Sequence, residues 1–400
     1  MKSSFKATFI SLFVATAAAM LGIGIIEPIL PIYAHSMGAT GLTLGVIFSG
    51  FALSRGLFAP IIGQYSDSKG RRKIIMAGLF FFIILSIAYA WASTPGWLML
   101  IRTFQGFASV LVTPIAQSYI GDITPEGKEG KYMNLFFMSF FGGQAIGPAL
   151  GGFLSDRFSI VMPFYVMAVL TAIALILVFF LVPESPEAHS KKTKKAQPVW
   201  KVLGKVAHDP QMQGIMTLMS SRGFYRWGFN TFFPVLAIMS MSLTKTQVGV
   251  ILSFYMIAGA LVQYPAGLLS DRYIQYRKEI ILFGSILSPV MMFLVPLTKN
   301  FYMLILITLM MGLFSAIGRA SAVAIRTERG RIHGMGAVTG AFTTSLSAGQ
   351  VLGPIIFGLI ADWLKVTDAF YIGGIIGLAG SIFSYVLLRR KKAEKALQEA

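Results

Sequence analysis

The 400-residue chain contains no cysteine. That excludes a disulfide framework, a thiolate metal site and a cysteine nucleophile. Histidine is almost as scarce: His35, His189, His208 and His333 are the whole complement, and each falls at or outside the end of an apolar run. A histidine metal cluster in a membrane core is therefore not expected. Charge is the next shortage. Only 12% of the residues are charged, about half of the roughly 25% that a soluble domain carries. With 55% apolar residues and a mean hydropathy of +0.71, the chain cannot clothe a soluble surface, and an ordinary soluble enzyme is excluded. Acids are scarcer than bases, 16 against 34, for a formal net charge of +18. The bases stand in short groups between long apolar runs, so they do not form the basic face of a nucleic-acid binder. No Gly-x-x-x-x-Gly-Lys-Ser/Thr loop occurs, so ATP drive has no support in this chain.

What the chain has is apolar length. A hydrocarbon core of about 30 Å needs roughly 20 apolar residues per helix. The runs divide into twelve segments, near 8–34, 42–65, 73–93, 97–120, 132–155, 160–182, 211–239, 245–269, 280–298, 301–325, 334–362 and 367–388. The first is too long, and too poor in a small-residue cleavage site, for a removable signal peptide. It reads as the first membrane helix, although it contains Glu27, Pro28 and Pro31. With the N-terminus inside, the inner segments hold 25 of the 34 Lys and Arg, while the outer loops hold only Arg157, Lys245, Lys299 and Lys365. By the positive-inside rule both termini are expected on the cytoplasmic side, in a bacterial-type inner membrane. The basic excess is mostly this topology signal.

The longest polar stretch, Pro183–Pro210, separates the runs six and six. The expected organisation is an N-terminal six-helix bundle over 1–182, a cytoplasmic linker over 183–210 with a short surface helix around Val199–His208, a C-terminal bundle over 211–388, and a basic tail over 389–400. The halves repeat at an offset near 205. Gly143-Gln144-Ala-Ile-Gly147-Pro148 recurs as Gly349-Gln350-Val-Leu-Gly353-Pro354, Gly45-Val46-Ile47 recurs as Gly249-Val250-Ile251, Ser66-Asp67 recurs as Ser270-Asp271, and Asp156 recurs as Asp362. An all-α membrane chain built as six helices repeated after a basic linker has the parallel-repeat plan of a two-bundle transporter, with a substrate site between the halves near the midplane.

Three motifs carry chemistry. The loop after the second run reads Gly63-Gln-Tyr65-Ser-Asp67-Ser68-Lys-Gly70-Arg71-Arg72-Lys73. Gly70 permits a tight turn, and Arg71 and Arg72 can then reach Asp67, Asp122 or carbonyls of neighbouring helices, a latch that holds one conformation and breaks in another. In the second half Asp271 precedes Arg277 and Lys278 with no intervening glycine, so the latch is expected to be stronger in the first half. The fourth run opens Leu98-Met-Leu-Ile-Arg102-Thr-Phe-Gln105-Gly106. The fifth carries Gly143, Gly147, Pro148, Gly151 and Gly152. Those glycines strip one face so that another helix can approach closely, and Pro148 adds a bend.

On these motifs the chain resembles the major facilitator superfamily, and within it the drug:proton antiporter branch. The resemblance covers nearly the whole length. It departs from the loop motif at Tyr65, usually leucine, and at Ser68, usually basic. It implies a twelve-helix fold of two pseudo-symmetric six-helix bundles, and secondary transport without a bound cofactor, driven by the proton-motive force. It makes Arg102 the motif arginine linked to coupling and helix stability, and the fifth-run glycines the mark of exporters rather than symporters. Helices 1 and 7 of the family flank a central cavity.

A charge inside a membrane helix is a functional hypothesis by default. Glu27 is the only deep acid, while Arg55, Arg102, Arg222, Arg226 and Arg319 are deep bases. Glu27 is either a proton carrier, its pKa raised by burial, or one half of a permanent ion pair. Arg222, Arg226 and Asn230 lie four apart and form one stripe of a helix. Guanidinium pairs suit carboxylate or phosphate, so the stripe points to an anionic or zwitterionic substrate; the competing reading pairs each arginine with Glu27 or with helix-end carbonyls. Arg55 and Arg319 stand between small residues and are further cavity candidates. Tyr33, Tyr225, Trp227 and Phe229 are the aromatic ones. Gln144 and Gln350 are candidates for a hydrogen bond at an outer seam.

The expectation is a proton-coupled exporter of a small organic anion, such as a carboxylate or siderophore, acting as a monomer in lipid by alternating access and binding no nucleic acid. A broad-range multidrug exporter is the alternative, and an organic-anion importer comes third. A membrane enzyme would need paired acids, a histidine or a nucleophile cluster in the core, and none is visible.

Overall fold

The computed structural model describes residues 5–125, 128–183 and 208–398. Among them every long apolar run is helical and no strand occurs. In chain order the helices are α1 (Phe5–Ile26), α2 (Ile29–Ser36), α3 (Gly41–Lys69), α4 (Arg71–Trp91), α5 (Pro95–Ile123), α6 (Glu129–Arg157), α7 (Met162–Leu181), α8 (Pro210–Met241), α9 (Lys245–Arg272), α10 (Arg277–Leu294), α11 (Phe301–His333), α12 (Met335–Trp363) and α13 (Val366–Gln398). Short 3₁₀ turns at Ile274–Tyr276 and Val295–Leu297 flank α10. Ten stretches of the described chain are long and apolar enough to cross a membrane. α6 and α8 are not among them, because α6 is rich in glycine and α8 carries Arg222, Arg226 and Asn230.

The first run is not one helix, contrary to expectation. α1 ends at Ile26 and α2 begins at Ile29, leaving Glu27 and Pro28 in the turn between them. A proline has no N–H to donate and its ring crowds the carbonyl four residues back, so Pro28 interrupts the ladder. Pro31 falls in the first turn of α2, where a missing donor costs least. Elsewhere the ends follow local chemistry. Thr94 accepts from the Trp97 N–H ahead of Pro95, and Asn300 accepts from the N–H groups of Tyr302 and Met303. Thr244 and Gln247 bond each other's backbone N–H at 3.2 and 2.9 Å, a capping box that starts α9. Gly70, at φ +90°, lets α4 begin directly after α3, as its place in the loop motif requires.

The chain divides into two compact units, Met1–Lys192 with Ala237–Ser253, and Thr193–Leu236 with Phe254–Ala400. In the first, α1 packs along α6 and α7, α3 along α5, and α4 against α5 and α7. In the second, α10 packs against α11 and α13, and α12 against the same two helices. The glycine strip of α6 explains the closest approach. A Cβ at Gly143 would stand 2.5 Å from the Ala17 carbonyl oxygen, and one at Gly147 would stand 2.6 Å from Gly24 of α1. Gly151 meets the backbone of Ile25 in the same way. Gly152 instead abuts the backbone of Lys245, and Gly249 that of Pro148, which is how the start of α9 comes to belong to the first unit. The second unit repeats the device, with Gly349 and Gly353 of α12 against the α8 backbone at Ser220 and Phe224. Below that contact, Ile215, Leu218 and Met219 of α8 close an apolar core with Ile281, Ile325, Phe342 and Leu388.

Most of the expected linker, and the surface helix expected around Val199–His208 apart from His208, lie outside the described residues. The residues expected as a tail from 389 onward continue α13 as far as Gln398.

Candidate functional site

In the second unit α8 is a continuous helix from Pro210 to Met241, so residues four apart share a face. Arg222 and Arg226 are half-buried and Asn230 is buried. Arg222 Nε donates to Ser315 Oγ of α11 at 3.0 Å. The Arg226 guanidinium lies over the Tyr255 ring, 5.7 Å from its centroid. Arg319 of α11 donates to Gln263 Oε1 of α9. Arg319 lies within electrostatic reach of Arg222 and Arg226, and those two of each other. Three cations are thus gathered where like charges repel. Neither Arg222 nor Arg226 is ion-paired with a described residue; the pairs of this unit belong instead to Arg277, Arg329 and Arg389. Among the described residues Arg226 Nε and Asn230 Oδ1 are buried with no hydrogen-bond partner, and native interiors leave few such atoms without a reason.

Arg222, Tyr225 and Arg319 line one cavity of about 10 Å³ together with Ser285, Ser315 and Ser381. These serines come from α10, α11 and α13, Ser221 of α8 lines it as well, and among the described residues no acid does. Ser381 Oγ donates to the carbonyls of Ser285 at 2.8 Å and Gly377 at 2.7 Å, while Ser285 Oγ bonds the Ile281 carbonyl. Tyr225 donates its hydroxyl proton to Ser288 Oγ at 3.2 Å, and Ser288 passes its own to the Met311 carbonyl at 3.1 Å. The hydroxyl groups of the wall are largely satisfied among themselves and by backbone carbonyls. Phe229 is fully buried among Phe233, Tyr255 and Phe370 and serves packing. Ser285, Ser315, Ser381 and Gln263 were not singled out from sequence. A lone serine in an apolar span also marks helix packing, and only three helices taken together make these a wall.

In the first unit Glu27 is buried at the α1–α2 break, 7% exposed. Arg102 is 1% exposed. Its guanidinium lies 4.9 and 4.7 Å from the ring centroids of Phe48 and Phe51 and donates to Gln105 Oε1 at 2.8 Å. Tyr89 donates to the same oxygen at 3.0 Å. Tyr33, a cavity candidate, donates its hydroxyl proton to the Ala92 carbonyl at 3.0 Å and sets its ring at a tilt against Phe164, 5.5 Å between centroids, so it secures the end of α4. Arg55 is half-buried on α3.

The loop motif reads differently in its two copies. In the first, Arg71 pairs with Asp122 at 3.0 Å and Arg72 lies over the Phe179 ring; Gly63 has open space beside it, and the Asp67 side chain is outside the described set. In the second, Arg277 bonds Asp271 at 2.9 Å, Glu328, and both the carbonyl and hydroxyl of Ser270 at 3.0 and 3.2 Å. The second copy thus forms a latch of its own without a glycine. The 3₁₀ turn Ile274–Tyr276 does what a glycine would have done, and Glu328 arrives from α11. Arg71–Asp122 and Arg277–Glu328 both span 51 residues, so the pair is part of the internal repeat.

A sequence profile described as Major Facilitator Superfamily matches residues 12–243 and again 215–400. Over 385 residues the chain is 28% identical to an uncharacterized MFS-type transporter of Methanocaldococcus jannaschii, covering 95% of this chain and 97% of that protein. It is 27% identical over 385 residues to the quinolone resistance protein NorA of Staphylococcus aureus, covering 95% of each. Among solved structures, a bacterial homolog of the human lysosomal transporter Spinster superposes with a TM-score of 0.82 at 13% identity, over 97% of this chain and 98% of that one. The nucleoside transporter NupG superposes at 0.77 and 16% identity, over 95% and 98%. At such identities these two speak for the fold alone. The chain is a multi-pass membrane transporter rather than an enzyme, and it belongs to the Major Facilitator Superfamily.

Proposed function

We propose that this chain is a proton-coupled exporter of a small organic anion or zwitterion. It works by alternating access in a bacterial-type inner membrane, with both termini cytoplasmic, as a monomer, and without a bound cofactor. The observation that carries the reading is the pair Arg222 and Arg226, two membrane-core guanidiniums on one helix face with no carboxylate partner among the described residues. An unanswered charge in a membrane interior is costly, and a planar fork of donors recognises a carboxylate in bidentate fashion. Asn230, one turn further, supplies a neutral contact. Glu27, the deep acid of the first unit, is the proton carrier in this reading, and the exporter direction rests on the fifth-run glycine motif.

A second reading, export of a range of drugs, is favoured by the similarity to a protein named for quinolone resistance. One experiment separates the two. The purified chain in proteoliposomes is given an imposed pH gradient and offered carboxylates, a quinolone and lipophilic cations, with an internal pH dye as readout. Dissipation by carboxylates, lost in Glu27→Gln, is the expected result. A gradient collapsed by lipophilic cations alone overturns the substrate class. Accumulation that Glu27→Gln leaves intact removes Glu27 as carrier.

A further inference from the structure

Arg326 of α11 is a cation outside the arginine group of the cavity. It stands two turns beyond Arg319, about 10 Å along the axis at 1.5 Å per residue, toward the end of α11 at which Arg329 reaches Asp209 ahead of α8. Its guanidinium lies over the Phe342 ring of α12, 4.9 Å from the centroid, and its Nε is buried. It makes no hydrogen bond or ion pair with a described residue. The described acids at this end of the second unit are all taken. Asp209 has Arg329 at 3.5 Å, Asp271 and Glu328 share Arg277, and Glu279 has Arg389 at 3.5 Å. Of the described arginines that are wholly or partly buried at this end, Arg326 alone has no acid.

A cation near a helix end can snorkel to lipid headgroups. Arg326 is on the wrong side for that: the exposed large apolar side chains of α11, Tyr302, Met303, Leu306 and Ile332, stand about a third of a turn or more away around the helix. A cation can also be part of the fold. At the register set by the Arg71–Asp122 and Arg277–Glu328 pairs, the first unit has Thr113 and Ile120 where the second has Arg319 and Arg326, so the repeated fold does not require either charge. Ser315, Arg319 and Arg326 instead share one face of α11, a stripe that runs from the cavity wall to the helix end.

We infer that Arg326, seated on Phe342, is a docking site for an organic carboxylate, the first contact of the solute on the linker side before it meets Arg222 and Arg226. The ring covers one face of the guanidinium. The in-plane N–H donors are what remain, and they form the fork that a carboxylate matches. Cations set in a row also steer an anion toward the more strongly charged end. The inference rests on the anion-export reading and adds a loading site to it.

The chain has no cysteine, so Val323→Cys, half-buried and one turn from Arg326, is the sole thiol that a neutral maleimide can label. The purified full-length variant in detergent is labelled in the presence of benzoate or of its uncharged analogue benzamide. Benzoate should slow the labelling saturably, and benzamide should not. Arg326→Gln should raise the benzoate concentration for half-protection roughly tenfold or more, as the loss of a charge-assisted bond. Arg326→Lys keeps the charge and loses the fork, so it should raise it roughly threefold, and it decides should Arg326→Gln fail to fold. Equal protection by benzoate and benzamide, protection unchanged in the Arg326 variants, protection lost only in Arg222→Gln, or a thiol that the maleimide never reaches overturns the inference. In proteoliposomes that move a carboxylate, Arg326→Gln should raise the half-saturating concentration roughly tenfold from the linker side and little from the other; an equal shift from both sides overturns the loading role. No gradient and no turnover enter the labelling assay. Protection by benzoate in a chain that moves no carboxylate therefore supports the docking site and counts against the transport reading.

Discussion

Arg102 and Arg222 are both arginines in membrane-crossing helices, and the two units treat them in opposite ways. In the first unit Arg102 is sealed at 1% exposure between two phenyl faces, and the oxygen of Gln105 that it bonds also takes the Tyr89 hydroxyl. In the second, Arg222 is half-buried on the wall of a cavity, has a serine for a partner and faces repulsion from Arg226 and Arg319. A cation closed into its packing stabilises the fold; a cation left open holds its charge for something else. The same residue type in the same kind of helix therefore separates into structure and function by surroundings alone.

Removing the cage is the most damaging way to break that comparison. Arg102→Ala leaves a void against Phe48 and Phe51 and strips the Gln105 oxygen of a charged donor. The expected cost is about 3 kcal/mol from the cation–π and charge-assisted contacts, seen as a large drop in melting temperature in detergent. Arg102→Lys should recover only part, because an ammonium lacks the planar fork. A variant that melts like the parent but no longer transports would put Arg102 with the functional residues. The paired change Arg222→Gln/Arg226→Gln should do the reverse. Affinity for an anionic solute is expected to fall about 100-fold or more, while the melting temperature holds or rises, since a repulsion disappears. Loss of stability on the scale of Arg102→Ala would mean that the second unit uses its arginines as the first does.

The two loop-motif copies allow a finer comparison. Arg277 is buried and bonds two carboxylates and a serine, and Arg71 is buried and pairs with Asp122. All three carboxylates are well exposed, at 73%, 53% and 40%, so solvent screening keeps each pair near or below about 1 kcal/mol. Arg277→Gln should therefore lower stability by roughly two such pairs plus the serine bonds, read as a fall in melting temperature against the parent. A Glu328→Gln variant that melts like the parent would show that the second carboxylate carries no energetic weight.

The helical runs were legible because twenty-residue apolar segments admit little else in lipid, and the glycine strip because small residues at that spacing mean close backbones. The break at Glu27–Pro28 was not placed, although Pro28 and Pro31 were in plain view: a membrane helix tolerates proline as a bend or as a break, and the choice depends on neighbouring helices. The partners of the second latch were not named, because a glycine was sought where a 3₁₀ turn serves and because Glu328 is 51 residues from Arg277. The stripe of Arg222, Arg226 and Asn230 follows from a spacing of four in one helix. The serine wall opposite needs three helices brought together, and no local pattern announces it.

The smallest effect concerns where α6 meets the start of α9. Asp156 Oδ2 accepts from the Thr246 N–H and from its hydroxyl, each at 2.7 Å, and Lys245 Nζ stands 4.0 Å from Oδ1. A carboxylate on free N–H groups of a helix start is favourable twice, by hydrogen bonding and by the macrodipole. Yet α9 already has its capping box in Thr244 and Gln247, so helix formation does not depend on Asp156. What Asp156 adds is the tie between the end of α6 and the start of α9. Asp156→Asn keeps an acceptor oxygen and loses only the long contact to Lys245, so its melting temperature should match the parent within error. Asp156→Ala should cost about 1 kcal/mol. If Asn falls as far as Ala, charge and not the hydrogen bond holds the tie, and the shift should then shrink in high salt.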